Sequence, residues 1–170
     1  IEDSAEAIDV PPVGDFACFS FYANKVLTTG DGGALVGDDL TLAKLYRDHG
    51  HVGDYVHSIA GLNFKMTALQ AAVGCAQVER LNDMLERRRE IAGRYHDAFY
   101  WLGGRGTWLY TFRAPSYDRA QFITKLHEAG VEARIGFVPL HCQEPYRQVG
   151  EFPIASALGG LSGLGPGGLV

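Results

Sequence analysis

The chain has 170 residues, of which 46% are hydrophobic and 21% charged, with a net charge of −5. That is enough for one ordinary globular domain or parts of two, and it excludes a disordered or fibrous chain. The acidic balance, with a pI near 5.6, excludes a general attraction for nucleic acid or for an anionic membrane surface.

The first residues, Ile1–Asp3, read as the end of a strand closed by acids. Asp9–Gly14 (DVPPVG) breaks regular structure. Cys18–Tyr22 (CFSFY) is aromatic and strand-like. Thr28–Gly33 (TTGDGG) is a turn, and Ala34–Val36 a short apolar strand. Asp38 and Asp39 are placed to cap a helix running to about His49. Gly50–Gly61 reads as a loop carrying His51, Tyr55 and His57.

From Thr67 the apolar residues Leu69, Ala72, Val73, Ala76, Leu81, Met84 and Leu85 recur at helical spacing. That pattern predicts helix to about Phe99, with a break near Asn82. The basic run Glu86–Arg89 (ERRR) falls on this helix and reads as a solvated face. Gly103–Gly106 (GGRG) marks a boundary. Trp108–Phe112 then predicts a strand, Asp118–Ala129 a helix stopped by Gly130, and Val131–Val138 a further strand. The order predicts mixed α/β structure, and no internal repeat is evident.

Three cysteines, Cys18, Cys75 and Cys142, are odd in number and far apart. They make no metal-ligand spacing and point to a reduced, cytoplasmic protein. No apolar run reaches the roughly 18 residues of a spanning helix, and no signal-peptide pattern is present. The abrupt start "IEDSAEA" and the glycine-rich end "LGGLSGLGPGGLV" point to a piece of a longer protein.

Lys25 stands where the aromatic strand gives way to the threonine–glycine turn. Two readings are open for it. Alone, such a lysine is a solvated surface group. Desolvated by Phe19, Phe21, Tyr22, Val26 and Leu27, its ammonium loses its proton more readily and becomes a nucleophile. Ser20 lies five residues earlier and Asp3 lies 22 residues earlier. A carboxylate, a hydroxyl and a lysine are the parts needed to hold a pyridinium, a phosphate and an aldehyde carbon.

The blocks "IEDSAEA", "CFSFYANKVLTTGDGG", "DHG", "GLNFKMTALQAAVGCAQVERL" and "PLHCQEPY", in this order, resemble the DegT/DnrJ/EryC1/StrS family. These are sugar-nucleotide aminotransferases that depend on pyridoxal 5'-phosphate and have the α/β fold type I. The resemblance runs from Ile1 to about Ile154. It implies that residues 1–102 are the later part of the large mixed-sheet domain with its connecting helix. Residues 103–170 would be a partial small C-terminal domain.

The resemblance also implies roles. Lys25 matches the Schiff-base lysine, which doubles as the proton-moving base. Asp3 matches the aspartate that pairs with the pyridine nitrogen and keeps it protonated. Ser20 matches the hydroxyl on the cofactor phosphate. Glu6 falls near the ring's phenolic oxygen or remains clear of it. Asn63 matches an asparagine that reaches the cofactor phosphate of a neighbouring subunit, which implies a homodimer with a shared site. Asn63 also has a local reading as a cap for the helix near Thr67. Lys65 keeps the charge of the arginine common in relatives and loses its planar fork. His141 is placed near the sugar nucleotide or simply ends a strand. Arg134 meets a diphosphate or lies solvated.

The chain departs from the family in three ways. It lacks the preceding portion that supplies a backbone phosphate cradle and a ring-stacking aromatic. The loop Ala7–Asp15 and the turn before "TWLYTF" are short. The tail after Pro153 lacks the family's "LP". The leading expectation is amination of a keto group on a nucleotide-linked deoxysugar, with glutamate as donor, for surface polysaccharide or glycoside biosynthesis. "GVEAR" and "PLHCQEPY" look most like perosamine-synthase-type enzymes acting at the sugar C4. A sugar 3-dehydratase of the same family would carry histidine at position 25. A catalytically silent paralogue serving as a structural subunit is the alternative of another class. A phosphate-binding regulator would rest on "TTGDGG" alone.

Overall fold

The computed structural model describes residues 1–98, 107–113, 118–147, 150–159 and 168–169. Its first sheet is mixed. Strand β1 (Glu2–Asp3) pairs in parallel with β2 (Phe16–Ser20), and β2 pairs antiparallel with β3 (Gly33–Gly37). The β2 strand begins two residues before the aromatic run and stops at Ser20. Ala17 at its centre is only 1% exposed and anchors the sheet.

Past β3 the chain forms α1 (Thr41–Arg47). Neither predicted aspartate is the N-cap residue, which is Leu40. The Asp39 carboxylate still accepts from the Thr41 N–H at 2.9 Å, so it satisfies a helix-start donor from one position upstream. The helix ends at Asp48. His49 takes the left-handed position after the cap, with φ of 59°, and the Gly50 N–H closes back on the Leu45 carbonyl at 2.8 Å.

The predicted loop 50–61 contains a hairpin, β4 (His51–Gly53) and β5 (Val56–His57). Asp54 and Tyr55 form its turn with φ of 47° and 60°. A two-residue hairpin turn of this kind needs positive φ at both positions and is usually marked by Asn-Gly or Asp-Gly. Asp-Tyr gives no such mark, so the sequence conceals the hairpin.

Helix α2 (Ala68–Glu79) starts at a capping box: Thr67 accepts from the Gln70 N–H, and the Gln70 side chain returns to the Thr67 N–H. Asn63 plays no part in that cap. Arg80 ends α2, and its carbonyl at once accepts from Met84 N, opening α3 (Leu81–Ala98). The break thus falls at Arg80 rather than near Asn82; neither glycine nor proline marks it.

Two compact units divide the chain, Ile1–Arg88 and Arg89–Val170, with the division inside α3. The boundary expected at 102/103, with its GGRG segment, lies outside the described residues. In the second unit the strand expected over Trp108–Phe112 shrinks to β6 (Phe112–Arg113). Trp108 is buried instead and stacks on Phe137, with ring centroids 6.1 Å apart.

Helix α4 (Arg119–Glu128) is capped by the Asp118 carboxylate on the Gln121 N–H. It stops as predicted at Gly130, whose φ is 77°, with Val131 N–H closing on the Leu126 carbonyl. Val131–Val138 does not form the expected strand. Only Ile135 makes a single bridge, and Val131, Ile135 and Phe137 are exposed. Strand propensity expresses fit to a half-buried pleated surface. These side chains find none, and Gly136 and Pro139 interrupt the run.

Two short 3-10 turns, Leu140–Cys142 and Glu144–Tyr146, precede α5 (Pro153–Gly159). Proline suits a first helical position because its missing N–H is not needed there. The glycine-rich tail then supplies β7 (Gly168–Leu169), which pairs antiparallel with β6. Among the described residues, no helix is long and apolar enough to cross a membrane.

Gly50 sits at φ of 70°, and a Cβ there would lie 2.1 Å from the Ile59 carbonyl oxygen. Gly50→Ala should therefore destabilise the first unit by about 3 kcal/mol, read as a lowered denaturation midpoint of the complete gene product.

Candidate functional site

Side chains alternate along a strand, and register partners share a face. Asp3 is the register partner of Cys18, and Ser20 lies two residues beyond Cys18. Asp3 and Ser20 therefore stand on one face of the sheet. Strand rise and spacing put their Cα atoms roughly 8 Å apart. Both lie at the carboxyl ends of parallel strands, the usual ligand edge of α/β sheets.

Each side chain is half-satisfied. Asp3 Oδ1 accepts from the Ala5 N–H at 3.1 Å, which orients the carboxylate. Ser20 Oγ accepts from the Tyr22 N–H at 3.2 Å, which leaves its own hydrogen to donate. Across from Ser20 stands Gly33, where a Cβ would strike the Phe19 carbonyl oxygen at 2.5 Å. The backbone is thus tightly drawn together beside the serine.

Lys25 follows on a closed loop. Phe21 holds its base: the Phe21 carbonyl accepts from Thr29 N at 2.9 Å and from Thr28 Oγ1 at 3.1 Å, while Phe21 N donates to the Gly32 carbonyl at 2.9 Å. Lys25 N closes a turn on the Tyr22 carbonyl at 2.9 Å. Val26 and Leu27 plug the interior, whereas Tyr22 is exposed and gives less cover than the sequence promised. Lys25 itself is half-buried. Helix α2 clamps the far side. Gln70 Nε2 donates to the Asp31 carbonyl at 3.0 Å, and Gly74 leaves only 3.1 Å between a built Cβ and Thr29 Cγ2.

Glu6 is exposed in the turn after β1. Asn63 is exposed and bridges to Asp48 through the backbone. It lines a groove of about 870 Å³ with Lys44, Arg47, Phe64 and Lys65 among its walls. Asp3, Ser20 and Lys25 do not line this groove. Lys65 pairs with Asp48, and that hydrogen bond, ahead of the charge attraction itself, holds the Asp48 carboxyl below the usual carboxylate value.

Arg134 and His141 belong to the second unit. The Arg134 guanidinium lies 5.3 Å from the Phe137 ring centroid, a cation–π contact on an exposed edge. His141 Nε2 is 2.7 Å from Ser156 Oγ. The sequence reading passed over Ser156 entirely, and nothing in the local pattern marks it. It also passed over Gln70, although Thr67-x-x-Gln70 is a legible capping box.

The residues at the sheet edge fit pyridoxal phosphate. An acid stands for the ring nitrogen, a hydroxyl with a hydrogen to give stands for the phosphate, and a partly desolvated lysine follows on a fixed loop.

Comparison with known proteins points to a family that uses the same cofactor. The model of the DegT/DnrJ/EryC1/StrS aminotransferase family matches residues 1–158. GDP-perosamine synthase of Caulobacter vibrioides is 36% identical over 188 aligned positions, covering 94% of this chain and 51% of the relative. Spore coat polysaccharide biosynthesis protein SpsC of Bacillus subtilis is 34% identical, covering 87% of this chain and 48% of the relative. The crystal structure of a DegT DnrJ EryC1 StrS aminotransferase from Brucella abortus superposes with a TM-score of 0.82 at 28% identity, covering 99% of this chain and 50% of that one. The chain spans about half the length of the curated relatives it matches. The fold is type I α/β, as expected.

The Asp48–Lys65 pairing holds at neutral pH and is lost as pH falls through the lowered Asp48 pKa. Lys65→Met should return the Asp48 titration upward to the ordinary carboxylate range, measured by carboxyl-carbon NMR.

Proposed function

This chain belongs to the DegT/DnrJ/EryC1/StrS aminotransferase family, and from that membership we propose that the protein aminates a keto carbon of a nucleotide-linked deoxysugar. The cofactor of the family is pyridoxal 5'-phosphate. When bound, it supplies the electron sink for exchanging an amino group with a carbonyl. The observation that carries the reading is the shared sheet face of Asp3 and Ser20 with Lys25 on the clamped loop that follows.

Each side chain has a separate task. Asp3 would hold a proton on the pyridine nitrogen through a carboxylate already oriented by Ala5 N–H. Ser20 would donate to the phosphate. Lys25 would hold the cofactor aldehyde and serve as the base that moves the proton. Glu6, exposed beyond β1, is the residue left to approach the phenolic oxygen.

The substrate reading follows the relatives. The proposed substrate is a GDP-linked 4-keto-6-deoxysugar, aminated at C4 with glutamate as donor; similarity to a GDP-perosamine synthase supports a GDP-linked sugar, and similarity to SpsC supports a place in polysaccharide assembly. His141 would meet the sugar nucleotide and Arg134 its diphosphate. In a homodimer, Asn63 would reach the partner's cofactor phosphate. Lysine and arginine around the Asn63 groove suit an anionic group there. The free cysteines accord with a cytoplasmic enzyme.

The deciding experiment uses the complete gene product. It is incubated with pyridoxal phosphate, reduced with borohydride and mapped by mass spectrometry. The phosphopyridoxyl mass is expected on Lys25, and Lys25→Ala should lower kcat by about a thousandfold. A folded protein that leaves Lys25 unlabelled overturns the aminotransferase reading.

A further inference from the structure

We propose that the Ser156 hydroxyl sets the tautomer of His141, so that the imidazole presents a fixed Nδ1–H donor to an acceptor oxygen of the substrate. The second half of this statement rests on the reading of His141 as substrate-facing.

His141 lies in the 3-10 turn Leu140–Cys142, which Cys142 N closes on the Pro139 carbonyl at 2.9 Å. Ser156 lies 15 residues further on, in the first turn of α5. Its backbone N–H donates to the Phe152 carbonyl at 2.9 Å, so its position is fixed by the helix. Helical serines commonly turn their hydroxyl back onto the carbonyl four residues earlier. Here the hydroxyl turns to the imidazole, with Oγ 2.7 Å from Nε2. Among the described residues it has no other acceptor.

The Ser156 hydroxyl can give its hydrogen to a bare Nε2 or accept one from an Nε2–H; the proposed arrangement is the first. The O–H donates to Nε2, which is then bare, and the neutral ring carries its hydrogen on Nδ1. Phe152 tilts against the ring at 4.9 Å between centroids, which restrains its rotation. Nδ1 makes no hydrogen bond among the described residues. It is the edge of the ring left for a ligand, and it can give a hydrogen bond without the ring being charged. Ser156 is thus a positioning residue, acting through His141.

The test labels the complete gene product with 15N-histidine and assigns the two ring nitrogens by long-range proton–nitrogen correlation, at a pH above the ordinary imidazole titration. His141 should carry its hydrogen on Nδ1 in the wild type and in Ser156→Thr, and on Nε2 in Ser156→Ala. A wild-type ring protonated on Nε2, or a Ser156→Ala ring unchanged from wild type, overturns the proposal.

Kinetics with a GDP-linked 4-keto-6-deoxyhexose separate the two layers. Ser156→Ala should lose about tenfold in kcat/KM, the worth of one hydrogen bond, with Ser156→Thr restoring it. If His141→Ala is impaired and Ser156→Ala is not, the proposal falls and the reading of His141 stands. If His141→Ala keeps wild-type kcat/KM, the substrate-facing reading falls and takes the donor role with it, while the tautomer measurement still reports on Ser156 alone.

Discussion

The first unit turns on one backbone group. Phe21 gives its carbonyl to Thr28 and Thr29 and its N–H to Gly32, so both ends of the lysine loop meet at a single peptide pair. Everything between is then a short closed loop whose ordering entropy has been spent once, by buried Val26 and Leu27 and by the clamp from α2. A lysine side chain has four rotatable carbons. Catalysis by such a group needs its root held still, because small displacements at the root grow along the chain. The Phe21 staple is what holds it.

The same staple explains the glycines better than flexibility does. Gly32 lies at φ of 138°, and its Cβ would press on Thr29 Oγ1 at 2.8 Å. Thr29 Oγ1 is itself committed to the Asp31 carbonyl at 2.7 Å. Gly33 then brings β3 against Phe19 too closely for any side chain. The TTGDGG turn therefore works as a tight return path. It brings β3 back beside β2, with Gly33 set directly opposite Ser20. A glycine-rich turn read alone as a phosphate loop would miss this, since its hydrogen bonds are spent on the protein itself.

What was legible in the sequence follows from which interactions are local. The α4 helix was placed correctly because Asp118 and Gly130 carry its start and stop in their own chemistry. The candidate residues Asp3, Ser20 and Lys25 were read as a set because their types match one cofactor's needs, and the structure sets Asp3 and Ser20 on one sheet face. The hairpin at 51–57 was not, because its positive-φ turn is made by Asp-Tyr and held by contacts such as His57 Nδ1 with the His49 carbonyl. The strand expected over Val131–Val138 failed for the opposite reason: its residues have strand character but lack a pleated surface to join. Trp108 was taken for a strand residue when its burial is a stacking contact with Phe137.

The two substrate candidates of the second unit separate on the same grounds. Arg134 has already spent one face of its guanidinium on Phe137, on an exposed edge where such a contact is worth about 0.5–1 kcal/mol. That contact leaves the planar fork free to turn outward, so it neither commits the arginine to an anion nor prevents it from binding one. His141 differs. Its ring is restrained by Phe152 and bonded at one nitrogen by Ser156, so its remaining nitrogen has a set direction and, in the proposed tautomer, carries the hydrogen. A group that is held before its ligand arrives loses little on binding. By that criterion His141 is the more preorganised of the two substrate candidates of the second unit.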